Sequence, residues 1–424
     1  MRILYALHAY KPAYRIGGPV LSVSAAAEQL ARKGHEVIVF ATNSNLTEEL
    51  DVPTDQPIDV EGVEVWYFRR EEPLQKYLPF VSYFSQSMGF MYCPAMKGAL
   101  VRIMSSVDVV DTHMPFVYPT YAAAQAALKA RKPLFYHQRG NFNPARLAFR
   151  SGKKKLYISL IERPIMRRAT TLIALTEAER SWFRALGVNT PCAVIPNGID
   201  LPLPRPDAVA RVTERFGIAA SATVVLFLGR LHPMKGVEEL IDAFSRIAAR
   251  HPNSVLVMAG PDEWGLQARW YDRVQQAGLG RSVVFAGMLT GSDKADMLAR
   301  ANLFALPSSG EGFSMAVLEA MASSTAVMLS PGCNFPEVVE FGAGITVDID
   351  VAAMAAALSR LLQEPDLLRS MGEAARRLVA EHYSWDIITD RLIHVYTDGI
   401  DRDRAQARHS VTSWATHSIG TIHK

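Results

Sequence analysis

Apolar runs of strand length alternate with helix-patterned stretches along most of this 424-residue chain. Ile3–Leu7 is the first run. A Gly17-Gly18-Pro19 turn follows, then a helical pattern over Val20–Arg32, and after Lys33-Gly34-His35 a second strand over Val37–Ala41. Strand, crossover helix and second strand make the repeating unit of a parallel sheet. Val107–Asp111, Leu134–His137, Thr171–Leu175 and Ala193–Ile195 continue the series. Prolines at 202, 204 and 206 then break it, and such alternation suits an extended linker. Beyond them the pattern restarts: strands over Val224–Leu228, Val255–Ala259, Val283–Ala286 and Leu303–Leu306, helices over Gly236–Ala249 and Ser314–Ala322. The expectation is an α/β fold of two Rossmann-like lobes, 1–200 and 205–380. Residues 401–424 are polar and lack a core-facing stripe, which predicts a disordered tail.

Composition narrows the class. Apolar residues make up 49% and charged residues 21%, a globular balance, and a formal net charge of +3 gives a nucleic-acid role no support. Cys93, Cys192 and Cys333 form no CxxC pair, so neither a disulfide scaffold nor a zinc site is expected, and a cytoplasmic location fits. The opening Met1–Leu7 has no small-residue cleavage site and reads as a buried strand.

The chemistry concentrates where strands end. After Leu303–Leu306 comes a small-residue loop, Pro307-Ser308-Ser309-Gly310-Glu311-Gly312-Phe313-Ser314, and then a helix. In an open α/β sheet this carboxyl edge binds ligands, and a helix start there offers the N–H groups of Gly312, Phe313 and Ser314 to a phosphate. Glu311 and Glu319 are eight residues apart. On a helix that is about 80° around and roughly 12 Å along the axis, so both can border one groove. Glu319 suits a ribose diol and Glu311 the hydroxyls of a sugar. Either glutamate alone reads as an ordinary surface charge. The turn after Val224–Leu228 adds Arg230 and Lys235, which together can neutralise a pyrophosphate leaving group without a metal. Asp348-Ile349-Asp350 spells a DxD but follows a late strand, and reads as a polar strand exit.

Glu311-x7-Glu319, Gly229-Arg230-x4-Lys235-Gly236, Pro196-Asn197-Gly198-Ile199-Asp200, Gly260-Pro261-Asp262-Glu263 and Phe285-Ala286-Gly287-Met288-Leu289 with Lys294 occur in one order. Together they resemble the motifs of the retaining GT-B glycosyltransferases of family 4, over about residues 1–400. The resemblance implies two lobes facing a central cleft, with a helix over 384–400, begun by Tyr383-Ser384-Trp385, returning to the first lobe. It implies donor contacts from Gly18, Arg230, Lys235, Gly260, Met288, Leu289, Gly312, Phe313, Ser314 and Glu319, with Met288 and Leu289 at the base. It also implies a histidine near the sugar, matched by His113, so His113 and Glu311 are the expected catalytic residues. The co-substrate would be a nucleoside diphosphate sugar, with no cofactor and no metal. Relatives carry an aromatic–glycine pair where this chain has Phe313-Ser314, which alters the sugar pocket slightly.

The acceptor side is less legible. Gly17 and the loop residues His137, Arg139 and Asn141 are candidates for a saccharide or lipid-linked acceptor. Just beyond, Arg150, Lys153, Lys154, Lys155, Arg163, Arg167 and Arg168 face a single acid, Glu162, with Leu156, Ile158, Leu160, Ile161 and Ile165 interspersed. Such a segment fits either an anionic membrane surface or a solvated helix packed by its apolar face. The function expected is sugar transfer in polysaccharide or glycolipid synthesis. A nucleotide-sugar epimerase and a non-catalytic nucleotide-sugar sensor are the alternatives.

Overall fold

The computed structural model describes every residue except 47, 72–89, 145–146, 148–150, 263 and 420–424, and omits the side chains of 151, 153 and 406–419. Arg150 and the side chain of Lys153, two members of the basic run, and Glu263 therefore lie outside the described residues. The chain divides into two compact units, one of residues 1–198 with 388–424 and one of residues 199–387.

The first unit is built on β1 (Arg2–Ala9), β2 (Glu36–Thr42), a short ribbon of β3 (Ser44–Asn45) and β4 (Glu48–Glu49), the hairpin β5 (Pro57–Val60) and β6 (Val63–Phe68), then β7 (Val109–His113), β8 (Leu134–His137), β9 (Thr171–Ala174) and β10 (Cys192–Val194). Its main sheet runs β10-β9-β8-β7-β1-β2-β6-β5, parallel throughout except for the β5–β6 pair. β1 is buried along almost its whole length, as a central parallel strand covered on both faces must be. The chain moves one way from β1 through β2 and then returns to lay β7 on the other side of β1. That reversal is a topological switch point, where an open sheet leaves a crevice at its carboxyl edge.

The second unit repeats the logic with β11 (Thr223–Leu228), β12 (Ser254–Ala259), β13 (Val283–Gly287), β14 (Leu303–Leu306), β15 (Ala326–Leu329) and β16 (Gly344–Thr346). Its order is β13-β12-β11-β14-β15-β16, all parallel, so the switch point lies between β11 and β14. Its core is one continuous cluster of Val, Leu, Ile, Met and Phe from strands and helices alike.

Of the segment expected to be a disordered tail, residues 420–424 lie outside the described residues, and residues 401–419 continue the last helix, Trp385–Ile419. Polar contacts hold it where an apolar stripe is missing: Thr170 donates to Asp403 (2.7 Å) and Arg402 to Thr171 (2.6 Å). Charged residues that look like tail in the sequence are docking groups.

The proline linker is also tied down. Arg205 and Arg211 converge on the buried carboxylate of Asp296, at 2.5 and 2.6 Å. The two guanidiniums hold that carboxyl far below the usual carboxylate range. Asp296→Ala leaves two cations facing an empty socket, and should lower unfolding stability by about 2 kcal/mol, as loss of one partner of a desolvated charge pair does. A urea titration of the variant measures this; an unchanged midpoint would mean the clamp contributes nothing net.

Candidate active site

In the second unit the loops after β11 and β14 are locked together. Ser309 N–H donates to Met234 O (2.8 Å), and Ser308 Oγ to the same carbonyl (3.2 Å). Gly236 has φ +67°, and a Cβ there would lie 2.3 Å from Pro307 O, so this contact admits only glycine. Gly260 is equally constrained: its φ is +146° and a Cβ would meet Gly229 O at 1.8 Å. Gly260 thus shapes the edge between β11 and β12, and its donor role, if it has one, runs through its backbone.

Glu311 is fixed by its main chain. Its N–H donates to Gly332 O (2.8 Å) and its carbonyl accepts from Asn334 Nδ2 (2.9 Å). Its carboxylate accepts from Lys235 Nζ. Sequence reasoning gave these two residues separate duties; the structure makes them an ion pair. Glu319 in turn accepts from Lys294 Nζ (2.8 Å). Both lie on the wall of a cavity of about 700 Å³ bounded by Ile199, the proline linker and the helices Gly291–Arg300 and Met315–Ala322.

Between the two ion pairs the helix Met315–Ala322 begins, with Ser314 as its N-cap. The backbone N–H groups of Gly312, Phe313 and Ser314 have no hydrogen-bond partner among the described residues. Unsatisfied donors at a helix start, flanked by lysines, form an anion cradle. The Phe313 ring packs on Phe335 and Tyr383, at centroid distances of 5.5 and 6.0 Å, so Phe313 anchors the cradle by its side chain. Arg230 is exposed on the β11 loop. At the end of β13, Met288 is 65% exposed and Leu289 is buried. Trp264 is exposed, with its ring edge-on to His232 at 4.7 Å. Asp350 of the DxD caps a helix, its Oδ1 accepting from Ala353 N–H at 2.8 Å, which bears out the reading as a strand exit.

In the first unit, Gly17 and Gly18 open the helix Gly18–Arg32, reached from β1 through a single turn at Tyr14–Ile16, with Gly17 at φ +92°. His113 is the last residue of β7, beside His137 of β8 in register. Its ring sits 4.6 Å from Tyr5 and 4.4 Å from His137. Arg139 Nε donates to His113 Nδ1 (3.2 Å), and the same guanidinium reaches Ser22 and Asn197. His137 Nε2 meets Asp111 Oδ2 at 3.0 Å, and Tyr396 of the last helix donates to that same oxygen. Asp111 and Tyr396 escaped sequence reasoning. Asp111 lies two residues before His113, and so on the same sheet face, which was the available signal.

The expected acceptor residues sit as follows. His137 is buried under this network. Arg139 is occupied by His113, Ser22 and Asn197. Asn141 folds back on its own turn, donating to Gln138 O. His113 itself is 1% exposed, and its Nε2, 3.9 Å from Asp111 Oδ2, has no hydrogen-bond partner among the described residues. Asp111, His113 and His137 place ligand atoms within 4.8 Å of one another, a donor set that could hold a metal. A guanidinium in the same cluster already supplies the positive charge a metal would bring.

The two parts of the chain match separate family models: Glycosyltransferase Family 4 over residues 16–202 and Glycosyl transferases group 1 over residues 211–378. The chain belongs to the group 1 glycosyltransferases of family 4. Among characterised members it is 31% identical over 247 residues to phosphatidyl-myo-inositol mannosyltransferase of Mycobacterium tuberculosis, covering 56% of this chain and 61% of that one. With D-inositol 3-phosphate glycosyltransferase of Gordonia bronchialis it shares 26% over 426 residues, 95% of this chain and 88% of that one. The matched stretch thus spans less than two thirds of the mannosyltransferase's length. Solved structures of this GT-B fold align over 94% of the chain. Anabaena HepE in complex with UDP and glucose gives a TM-score of 0.70 at 20% identity, all of that chain being covered. Sucrose-phosphate synthase of Thermosynechococcus elongatus gives 0.72 at 22%, with 98% covered.

The first unit carries a buried histidine set that acid should attack. Burial pushes His8 down to about 4 and holds His113 well below its ordinary value, with help from the charges of His137 and Arg139. It lowers His137 too, against the opposing pull of Asp111. Unfolded histidines titrate near 6.5, so below that pH the unfolded chain binds protons the folded one refuses, and stability falls as pH falls. For His8 alone the loss at pH 5 is roughly 2 kcal/mol. The thermal midpoint should drop between pH 7 and pH 5, and His8→Phe should flatten that slope; an equally steep variant would count against the assignment.

Proposed function

We propose that this chain transfers a sugar from a nucleoside diphosphate sugar to a hydroxyl acceptor, with retention at the anomeric carbon. The observation that carries the reading is the unpartnered helix start at Gly312–Ser314 between the Lys235–Glu311 and Lys294–Glu319 pairs. An incoming diphosphate takes up those N–H groups and draws on Lys235 and Arg230, while Glu319 turns to the ribose diol. Freed from Lys235, Glu311 meets sugar hydroxyls. Charge developing on the departing diphosphate is then met by preorganised donors in a fixed place. Met288 and Leu289 border the base, and Gly17 and Gly18 approach the diphosphate or the acceptor. In this reading His113, neutral and bonded by Arg139 at Nδ1, is the histidine that hydrogen-bonds near the anomeric carbon, and the loop that follows it is part of the same chemistry. Met114 and Phe116 in that loop hold φ values of +71° and +70°, a strained geometry common where a segment is functional. No metal or other cofactor is needed in this account, since lysine, arginine and N–H groups carry the neutralisation.

The relatives' names point to inositol and saccharide acceptors, and we extend that class to this chain, with lipid-linked saccharides of cell-surface polymers or glycolipids included. Neither the epimerase nor the sensor is favoured by these relatives. Attachment to the inner face of a membrane is part of the proposal. No described helix is long and apolar enough to cross one. In the basic run, Ile158 and Ile165 are buried, yet Leu156 and Leu160 are 61% and 64% exposed beside Lys155. Glu162, the run's single acid, is spent internally on Tyr136 (2.6 Å) and Phe116 N–H (2.8 Å), so it does not offset the exposed cations.

A thermal-shift panel of UDP-, GDP-, ADP- and dTDP-sugars tests the donor assignment. One donor class should raise the midpoint of the wild type, and Glu319→Ala should lose most of that shift, roughly 1–3 kcal/mol of binding for a charged hydrogen-bond acceptor. A shift of equal size in the variant would remove Glu319 from the ribose site. No shift with any donor would sink the donor assignment altogether.

A further inference from the structure

The amino edge of the first unit's sheet carries a second cavity, of about 1010 Å³, remote along the strands from His113. It forms where the helices Tyr118–Ala130 and Arg163–Arg168 end and the chain turns into β8 and β9, with the last helix closing one side. Arg131, Lys132, Arg167, Arg168 and Arg402 line it against a single carboxylate, Asp403. Asp403 is engaged with Thr170 (2.7 Å), and none of the five cations forms an ion pair with a described residue.

Ordinary helix capping accounts for part of this. Lys132 donates to the carbonyls of Ser105 and Val107, at 3.1 and 2.8 Å, and Arg167 to that of Gly187, at 3.0 Å. Cations at a helix C-terminus complement its dipole. The side chains of Arg131 and Arg168 make no hydrogen bond or ion pair with any described residue. Arg402 lies well inside a helix ending at Ile419, where no dipole calls for it. Like charges gathered in one concavity repel, and their field is strongest inside it. An anion with several charges relieves the repulsion.

We propose that this cavity is a binding site for a ligand carrying at least two phosphate groups, separate from the donor site of the second unit. Guanidiniums grip phosphate oxygens in bidentate fashion. The volume suits a small molecule, and the hydroxyl of Thr190 and the amide of Asn189 lie on the same wall. Because Arg402 and Asp403 belong to the last helix, occupancy also fastens that helix to the sheet. The proposal does not depend on the transfer chemistry.

Calorimetric titration of inorganic pyrophosphate tests it on the full chain carrying Arg230→Ala and Lys235→Ala, which disable the other anion cradle. Binding should persist in that background. Adding Arg131→Ala and Arg168→Ala should weaken it at least tenfold, while Arg131→Lys with Arg168→Lys should cost under threefold; circular dichroism melts check that all forms fold. In a parallel arm, vesicles of phosphatidylcholine with or without phosphatidylglycerol are floated with the same proteins. Binding of vesicles but not of pyrophosphate, lost in the alanine pair, overturns the two-phosphate ligand in favour of a lipid headgroup. Equal behaviour of the background and the alanine pair in both arms, or no binding in either, overturns the proposal.

Discussion

The strands of a parallel sheet end on one edge, and where the strand order reverses, a crevice opens at that edge. That constraint organises both units. In the first, the reversal lies between β1 and β7; in the second, between β11 and β14. Each reversal opens a crevice at the carboxyl edge, and each crevice holds the residues with chemistry. His113 ends β7, while Arg230 and Lys235 follow β11 and Glu311 follows β14. The glycines at 236 and 260 serve that arrangement, since they let neighbouring loops close to backbone contact.

The two crevices differ in electrostatic character. The second unit presents charged groups in pairs that a ligand can rearrange, Lys235 with Glu311 and Lys294 with Glu319, beside donors that have no partner. The first presents a buried, already interlocked set, with Asp111 at its centre accepting from Tyr396 and meeting His137, and Arg139 fixing His113. One is built to receive charge and the other to hold a neutral imidazole in a single orientation. Tyr396 brings the last helix into that set, so the far end of the chain takes part in orienting a residue of β7.

Periodicity made the strands and their ends legible. Leu134–His137 and Leu303–Leu306 coincide with their predicted bounds, because short apolar runs between turn residues admit few other readings. Glu311, Glu319 and Lys235 stood out by spacing around a loop between strand and helix. Partnerships were not legible. That Lys235 meets Glu311, or that Glu162 is buried on Tyr136, depends on contacts across tens of residues that no local pattern encodes. The same blindness hid how far the last helix, expected over 384–400, continues. Asp403 and Arg402 look like solvated tail until Thr170 and Thr171 are placed opposite them. The burial of His137 beside Asp111 was not legible either, because a polar residue at a strand end looks alike whether it faces solvent or a buried carboxylate.

The central claim is that the empty helix start at Gly312–Ser314 is the seat of a nucleoside diphosphate. Crystals of the full chain soaked with UDP or GDP test it most directly. The account predicts diphosphate density on those three N–H groups, with Lys235 drawn toward it and Glu319 on the ribose. A well-ordered diphosphate seated elsewhere, with the helix start still bare and both ion pairs intact, would contradict it.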